Sequence, residues 1–299
     1  MTAPLPKAPA PESVTFSARD GRELAGLLLP VLASATAAAR GALVVNGATG
    51  VPREYYLKFA AYCAARGYHT LLYDYRGIGA SAPAALAAER ARMSDWGFLD
   101  MPAALDFLAA RCSAVPLFTL GHSVGGQLIG CMANHGRARA HVMIAASTGY
   151  WRRQRVPFRY LAVLLWKVYG PLALRRHGYL PHGALWRGAS LPRGVFEQWR
   201  AWCLRPEYFG PHLDPLLRDA HFDAVREPLL NWSFTDDPIA TPAAVEALLK
   251  SYTQARIERR ATSPREIGAR RIGHQGFFAE RHRESLWRGA LDWLDARGA

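Results

Sequence analysis

In the run Gly121-His122-Ser123-Val124-Gly125-Gly126, one serine stands between glycines two residues away on each side. The apolar run Leu117 to Leu120 precedes it and a helix-period segment follows. This context predicts a sharp strand-to-helix turn, where only small neighbours let the backbone hold a hydroxyl clear of the sheet. A serine hydroxyl is a poor nucleophile near neutral pH. It needs an imidazole to take its proton and a carboxylate to orient that imidazole. Both occur downstream. Leu229 to Phe234 reads as a strand ending in Thr235-Asp236-Asp237-Pro238, and Gly273-His274-Gln275-Gly276 reads as a loop before the last helical segment. The expected set is Ser123 as nucleophile, His274 as general base and an aspartate, 236 or 237, as the acid.

Acyl chemistry on a serine also needs two N–H groups facing the developing oxyanion. Val124, just after the serine, supplies one. The other is expected from Asn46-Gly47-Ala48-Thr49-Gly50, with Ala48 as the donor, because glycines there let main chain approach a ligand. His122 is read as packing or loop support, since a side chain adjacent in sequence points away from its neighbour. Asp74 is the competing carboxylate, but it ends an earlier strand.

The elements that must position these residues are legible as alternation. Short β-rich runs (Ala42 to Val45, Thr70 to Tyr73, Leu117 to Leu120, Val142 to Ala146, Leu229 to Phe234) alternate with helix-period segments, the pattern of a mostly parallel sheet flanked by helices. Val14 to Phe16 and Leu24 to Leu29 flank Asp20-Gly21, which predicts an antiparallel hairpin at one edge. Tyr55, Phe59 and Cys63 share one helical stripe, and Phe98, Met101, Leu105 and Leu108 share another. Gln127 to His135 is expected to be helical, Thr241-Pro242 to open a helix through Lys250, and Glu280 to Ala296 to close the chain as a helix. Between about Trp151 and Phe222 the strands stop, and aromatics interleave with arginines and prolines. Some 70 residues is too long for an ordinary connection, so this stretch is expected to be a helical cap. The resulting division is a loose tail over 1–12, a core over 13–150 and 223–299, and a cap over 151–222.

With 299 residues, half of them hydrophobic, the chain has ample material for a large core. No apolar stretch is long enough for a membrane span, and the Ala/Pro-rich start lacks the apolar run of a signal peptide. Four dispersed cysteines suggest neither a disulfide framework nor a zinc motif, which makes the cytoplasm the default compartment. The net charge of +13 comes almost entirely from scattered arginines. Without a recognisable nucleic-acid-binding module, it does not imply nucleic acid as a partner. Arg152, Arg153, Arg155 and Arg159 cluster at the start of the cap, where they read as a solvated face or as a seat for an anionic substrate head.

The segments Asn46 to Tyr56, Asp74 to Ser81, Gly121 to Gln127, Gly149 to Arg152, Ser233 to Pro238 and Gly273 to Phe278 resemble the α/β-hydrolase superfamily, in particular a bacterial group of predicted hydrolases with an inserted cap. The resemblance implies the α/β-hydrolase fold and a Ser-Asp-His triad in that chain order. It also implies an acid about four residues before the next helix, a count that favours Asp237, with Asp236 as the alternative. Asn46 departs from the commoner His-Gly opening of its loop, a change that leaves a main-chain donor in place. The expected activity is hydrolysis of a small-molecule ester or thioester with an apolar part through an acyl-enzyme on Ser123, with neither metal nor organic cofactor. The alternatives are an acyltransferase using the same triad and a non-catalytic binding protein.

Overall fold

The computed structural model describes residues 10–31, 39–209 and 217–298. An eight-stranded sheet forms its centre, built from β1 (Glu12–Ser17), β2 (Glu23–Leu29), β3 (Gly41–Asn46), β4 (Tyr68–Tyr73), β5 (Leu117–His122), β6 (Ala140–Ile144), β9 (Pro228–Phe234) and β10 (Arg256–Thr262). The spatial order is β1-β2-β4-β3-β5-β6-β9-β10. The pairs β1–β2 and β2–β4 are antiparallel and the others parallel. The central strands β3 and β6 are buried along their whole length, whereas the edge strand β1 alternates exposed and buried residues over its second half. This is why the former read as continuous apolar runs.

Residues 1–9 of the expected tail and 210–216 of the expected cap lie outside the described residues. Pairing of β1 begins at Glu12, one residue inside the segment expected to be tail. β10 escaped the sequence reading because Arg-Ile-Glu-Arg-Arg-Ala-Thr has the charge of a surface loop; it pairs with β9 on one side only.

Around the sheet lie α1 (Leu57–Ala65), α2 (Met93–Asp95), which continues through a π-helical turn into α3 (Met101–Arg111), and α4 (Val124–Gln127). On the expected stripes, Phe59, Cys63, Met101, Leu105 and Leu108 are fully buried. Tyr55 is not: it is 39% exposed, and Tyr56 takes the interior position instead. The helix expected over Gln127 to His135 is also absent, since α4 ends at Gln127 and a 3-10 turn, Ile129–Cys131, follows. There the Gly130 backbone packs so closely on Phe222 that a Cβ would lie 2.3 Å from the ring.

Between β6 and β9 come α5 (Phe158–Leu164), a π-helical turn, α6 (Gly170–His177) and α7 (Arg193–Cys203). The two-residue strands β7 (Tyr179–Leu180) and β8 (Leu191–Pro192) pair antiparallel, so the stretch expected to lack strands contains one small ribbon. Several polar ties fasten this layer to the core. Gln198 Oε1 accepts from Ser94 N at 2.8 Å, and Thr241 Oγ1 donates to the Arg153 carbonyl at 2.6 Å. Thr241 also caps α8 (Pro242–Leu249) by accepting from Ala244 N. The chain closes with α9 (Arg288–Gly298), which follows a 3-10 turn and a π-helical turn; Leu286, Ala290, Leu291 and Leu294 are fully buried. No helix among the described residues is long and apolar enough to cross a membrane.

The double duty of Thr241 makes it a test of how the layers are joined. Thr241→Ala removes the N-cap acceptor and the bond to Arg153, and should lower stability by about 1–2 kcal/mol. Urea denaturation followed by tryptophan fluorescence measures the loss.

Candidate active site

Ser123 sits at φ +52°, ψ −113°, between the last residue of β5 and the first of α4. Such angles cost a non-glycine residue about 1–3 kcal/mol and persist only where the surroundings enforce them. Enforcement here is main chain against main chain. A Cβ on Gly121 would lie 2.4 Å from Gly125, and a Cβ on Gly125 would lie 2.2 Å from the Asn46 carbonyl oxygen. Ser123 N–H donates to the Ile144 carbonyl at 2.9 Å, pinning the turn to the end of β6.

The other two groups arrive from neighbouring loops. His274 Nε2 lies 3.0 Å from Ser123 Oγ, and His274 Nδ1 lies 2.7 Å from Asp237 Oδ2. Asp237 follows β9 and is 1% exposed; its Oδ1 accepts from the N–H groups of Ile239 and Ala240. Burial alone would raise its carboxyl. The facing His274 ring, the bond to that ring and the two backbone donors together outweigh burial and hold it below its ordinary 3.8.

Asp236 points elsewhere. Its two oxygens accept from Ile272 N and Gly273 N, each at 2.9 Å, fixing the loop that carries His274. Asp74 is engaged by Arg53 N and Ala80 N, at 2.9 and 3.0 Å, and shapes its own loop.

His122 does more than pack. Its ring is buried, with Nδ1 3.0 Å from the Tyr56 hydroxyl and Nε2 3.0 Å from the His274 carbonyl oxygen. Burial, reinforced by the nearby His274, pushes its pKa down to about 3, so it is neutral. A carbonyl only accepts, so the proton is on Nε2 and Nδ1 accepts from Tyr56. The Tyr56 oxygen in turn accepts from Ala48 N–H at 2.8 Å. That bond corrects the expectation for Ala48: its N–H is directed to a buried hydroxyl rather than left free for an oxyanion. Neither His122 nor Tyr56 carried a sequence signal for this link, because it joins segments near 48–56, 122 and 274 that are distant along the chain.

Ser123 and His274 open into a cavity of about 1120 Å³ roofed by the layer between β6 and β9. Phe158, Leu165, Trp166, Trp186, Trp199 and Tyr208 contribute to its walls. Trp186 rests on Gly50, where a Cβ would lie 2.5 Å from the indole, and Ala189 N–H donates to the Gly50 carbonyl at 2.7 Å. The arginine cluster considered for an anion does not line this cavity. Arg153 and Arg155 bond to the carbonyls of Pro206 and Thr235, while Arg152 and Arg159 lie over Trp151 and Tyr160. Arg187, Arg271 and Arg281 line it instead. Among the described residues, one cluster has metal-ligating geometry: His135, His141 and Glu227, toward the opposite ends of the strands.

A sheet of this order, with hydroxyl, carboxylate and imidazole delivered at the carboxyl ends of its strands and just before the final helix, defines a class: the chain has the α/β-hydrolase fold. The family model described as Serine aminopeptidase, S33 matches residues 38–184. A soluble variant of monoglyceride lipase from Saccharomyces cerevisiae, in complex with a substrate analog, superimposes with TM-score 0.69 at 16% identity, covering 100% of this chain and 99% of that one. A thermostable carboxyl esterase from Bacillus coagulans gives 0.63 at 14% identity, with 97% and 100% covered. An esterase of Pyrococcus furiosus gives 0.61 at 12%, with 97% and 92% covered. No curated protein matches the chain in sequence.

The depressed Asp237 carboxyl carries a pH signature. A carboxylate held below its unfolded value favours the folded state above that value, and the contribution disappears as pH falls through the folded value. From about pH 5 downward, wild type should lose stability more steeply than Asp237→Asn. Thermal melts of both proteins across that range give the two slopes.

Proposed function

We propose that the protein is a serine hydrolase that cleaves a carboxylic ester or thioester through an acyl-enzyme on Ser123. The observation that carries this reading is the continuous bonded line Ser123 Oγ, His274, Asp237 at 3.0 and 2.7 Å. His274 Nε2 takes the serine proton as Oγ attacks the carbonyl carbon, then returns it to the leaving alcohol or thiol. In the second half-reaction it activates water. Asp237 holds the Nδ1–H tautomer and stabilises the imidazolium. The oxyanion is met by the N–H of Val124, which opens α4 and has no intrahelical partner. The second donor is the N–H of Thr49, the next group along the turn from Ala48 and part of the cavity lining.

The walls favour an apolar substrate body. Indoles and aliphatic side chains dominate near Ser123, and Leu161, 52% exposed, continues that lining to the rim. A volume of about 1120 Å³ lies just above the usual range for small-molecule sites, enough for a medium-to-long acyl or alcohol chain. The ester reading draws support from the similar monoglyceride lipase and esterases. The family model's description names a peptidase, so amides belong in the same substrate panel.

A fluorophosphonate should label wild type at Ser123, and Ser123→Ala should lose both labelling and p-nitrophenyl ester turnover; turnover retained in that variant overturns the reading. Asp237→Asn should stay folded and reduce kcat on the order of 10⁴-fold, the magnitude known for the equivalent change in a serine protease. Asp236→Asn should chiefly affect stability. Matched p-nitrophenyl ester and anilide series graded by chain length decide between ester and amide.

A further inference from the structure

The cluster of His135, His141 and Glu227 lies away from the cavity and from the residues given roles in catalysis. His141 is the second residue of β6, Glu227 immediately precedes β9, and His135 begins the 3-10 turn His135–Arg137. Thr119 pairs with His141 in the sheet, four residues before Ser123, so about 13 Å of strand separates this cluster from the nucleophile.

Its geometry leaves one group unexplained. His141 is fully buried, and its Nδ1 lies 2.7 Å from Thr119 Oγ1. Its Nε2 has no hydrogen-bond partner, although it faces Glu227 Oε2 across 3.9 Å. If the proton is on Nδ1, the Nε2 lone pair confronts a carboxylate oxygen. If it is on Nε2, the N–H points at an acceptor too distant to bond. Either arrangement leaves a buried polar atom without its partner, which folding disfavours. The same carboxylate oxygen lies 3.0 Å from His135 Nδ1 and accepts from Arg226 N at 3.2 Å.

We infer that His135, His141 and Glu227 form a binding site for a divalent transition-metal cation, zinc being the best match to two imidazoles and a carboxylate. The three ligand atoms already lie within 4.8 Å of one another. Tetrahedral zinc with ligands at 2.0–2.2 Å places them about 3.4 Å apart, so shifts of roughly 1 Å suffice. The side chains that must move are those of His135 and Glu227, which are partly exposed, while His141 is fixed in the sheet. Thr119 then serves as the outer partner that a ligating imidazole ordinarily has, accepting from Nδ1–H and turning the Nε2 lone pair inward. A fourth position opens to water through the exposed side. The donor set spans 92 residues in three separate segments, which is why no motif announces it. By position the metal is structural, clamping the turn after Met132 to the entry of β9.

The test uses the full-length protein stripped with a chelator and titrated with zinc chloride. Calorimetry should give one zinc per chain, and Tm should rise by about 4 °C at a hundredfold excess over Kd. Cobalt(II) should produce the visible absorption of a tetrahedral ion. His135→Ala and Glu227→Gln, both at partly exposed positions, should each weaken binding at least tenfold while leaving ester turnover of the stripped protein unchanged. His141→Gln is the third arm, and the first two carry the test if that variant does not fold. Absence of zinc binding tighter than about 100 μM, as expected if a water fills the gap, overturns the inference. So does zinc binding that either variant leaves intact, including binding at His274.

Discussion

Backbone strain at one residue organises much of this molecule. Ser123 adopts left-handed φ with no help from a glycine of its own; the help comes from Gly121 and Gly125, whose missing side chains let the turn close on itself and on the Asn46 carbonyl. The strain is tolerated because β5 is paired with β3 on one side and with β6 on the other, so relaxing the turn would mean parting the centre of the sheet. Placing a hydroxyl in this way costs a few kcal/mol at most, small beside the burial of the surrounding strands.

From that turn, order spreads by hydrogen bonds rather than by packing alone. Asp236 fixes the approach to His274, and Asp237 fixes its ring. Neutral His122 holds the His274 carbonyl on one side and, through Tyr56, the Ala48 amide on the other. The histidine loop and the turn that faces the substrate therefore share one buried polar chain. Trp186 and Ala189 extend it outward by seating the roof of the cavity on Gly50. A buried network of this kind is worth most when every member is satisfied, so a change at Tyr56 is felt at His274 without touching it.

Much of this was legible from residue order. Central strands buried on both faces gave unbroken apolar runs, and the Asp20-Gly21 hairpin and the Thr241-Pro242 helix start are local chemistry that reads directly. The serine turn, the acid pair and the histidine loop were visible because each sits beside glycine or proline punctuation. What stayed hidden depends on tertiary pairing. β10 has too much charge to look like a strand until β9 covers one side of it. Ala48 looked like a free donor because the Tyr56 hydroxyl reaches it from another element. The arginines clustered at the start of the cap bond carbonyls and stack on rings, while Arg187, Arg271 and Arg281 reach the cavity from segments whose place beside it depends on the tertiary fold.

The charged composition of β10 has a consequence of its own. As the last strand of an open sheet, it presents a row of unpaired main-chain groups, which in principle invites another chain to add on. Arg256 and Arg259 stand exposed along it, Arg259 paired with Glu246 and Arg260 with Glu258. A second copy approaching in register would bring like charges together and strip water from guanidinium groups. The same residues that disguised the strand thus act as a guard against fibre-like stacking, keeping a sheet with so apolar a centre from growing beyond its own edge.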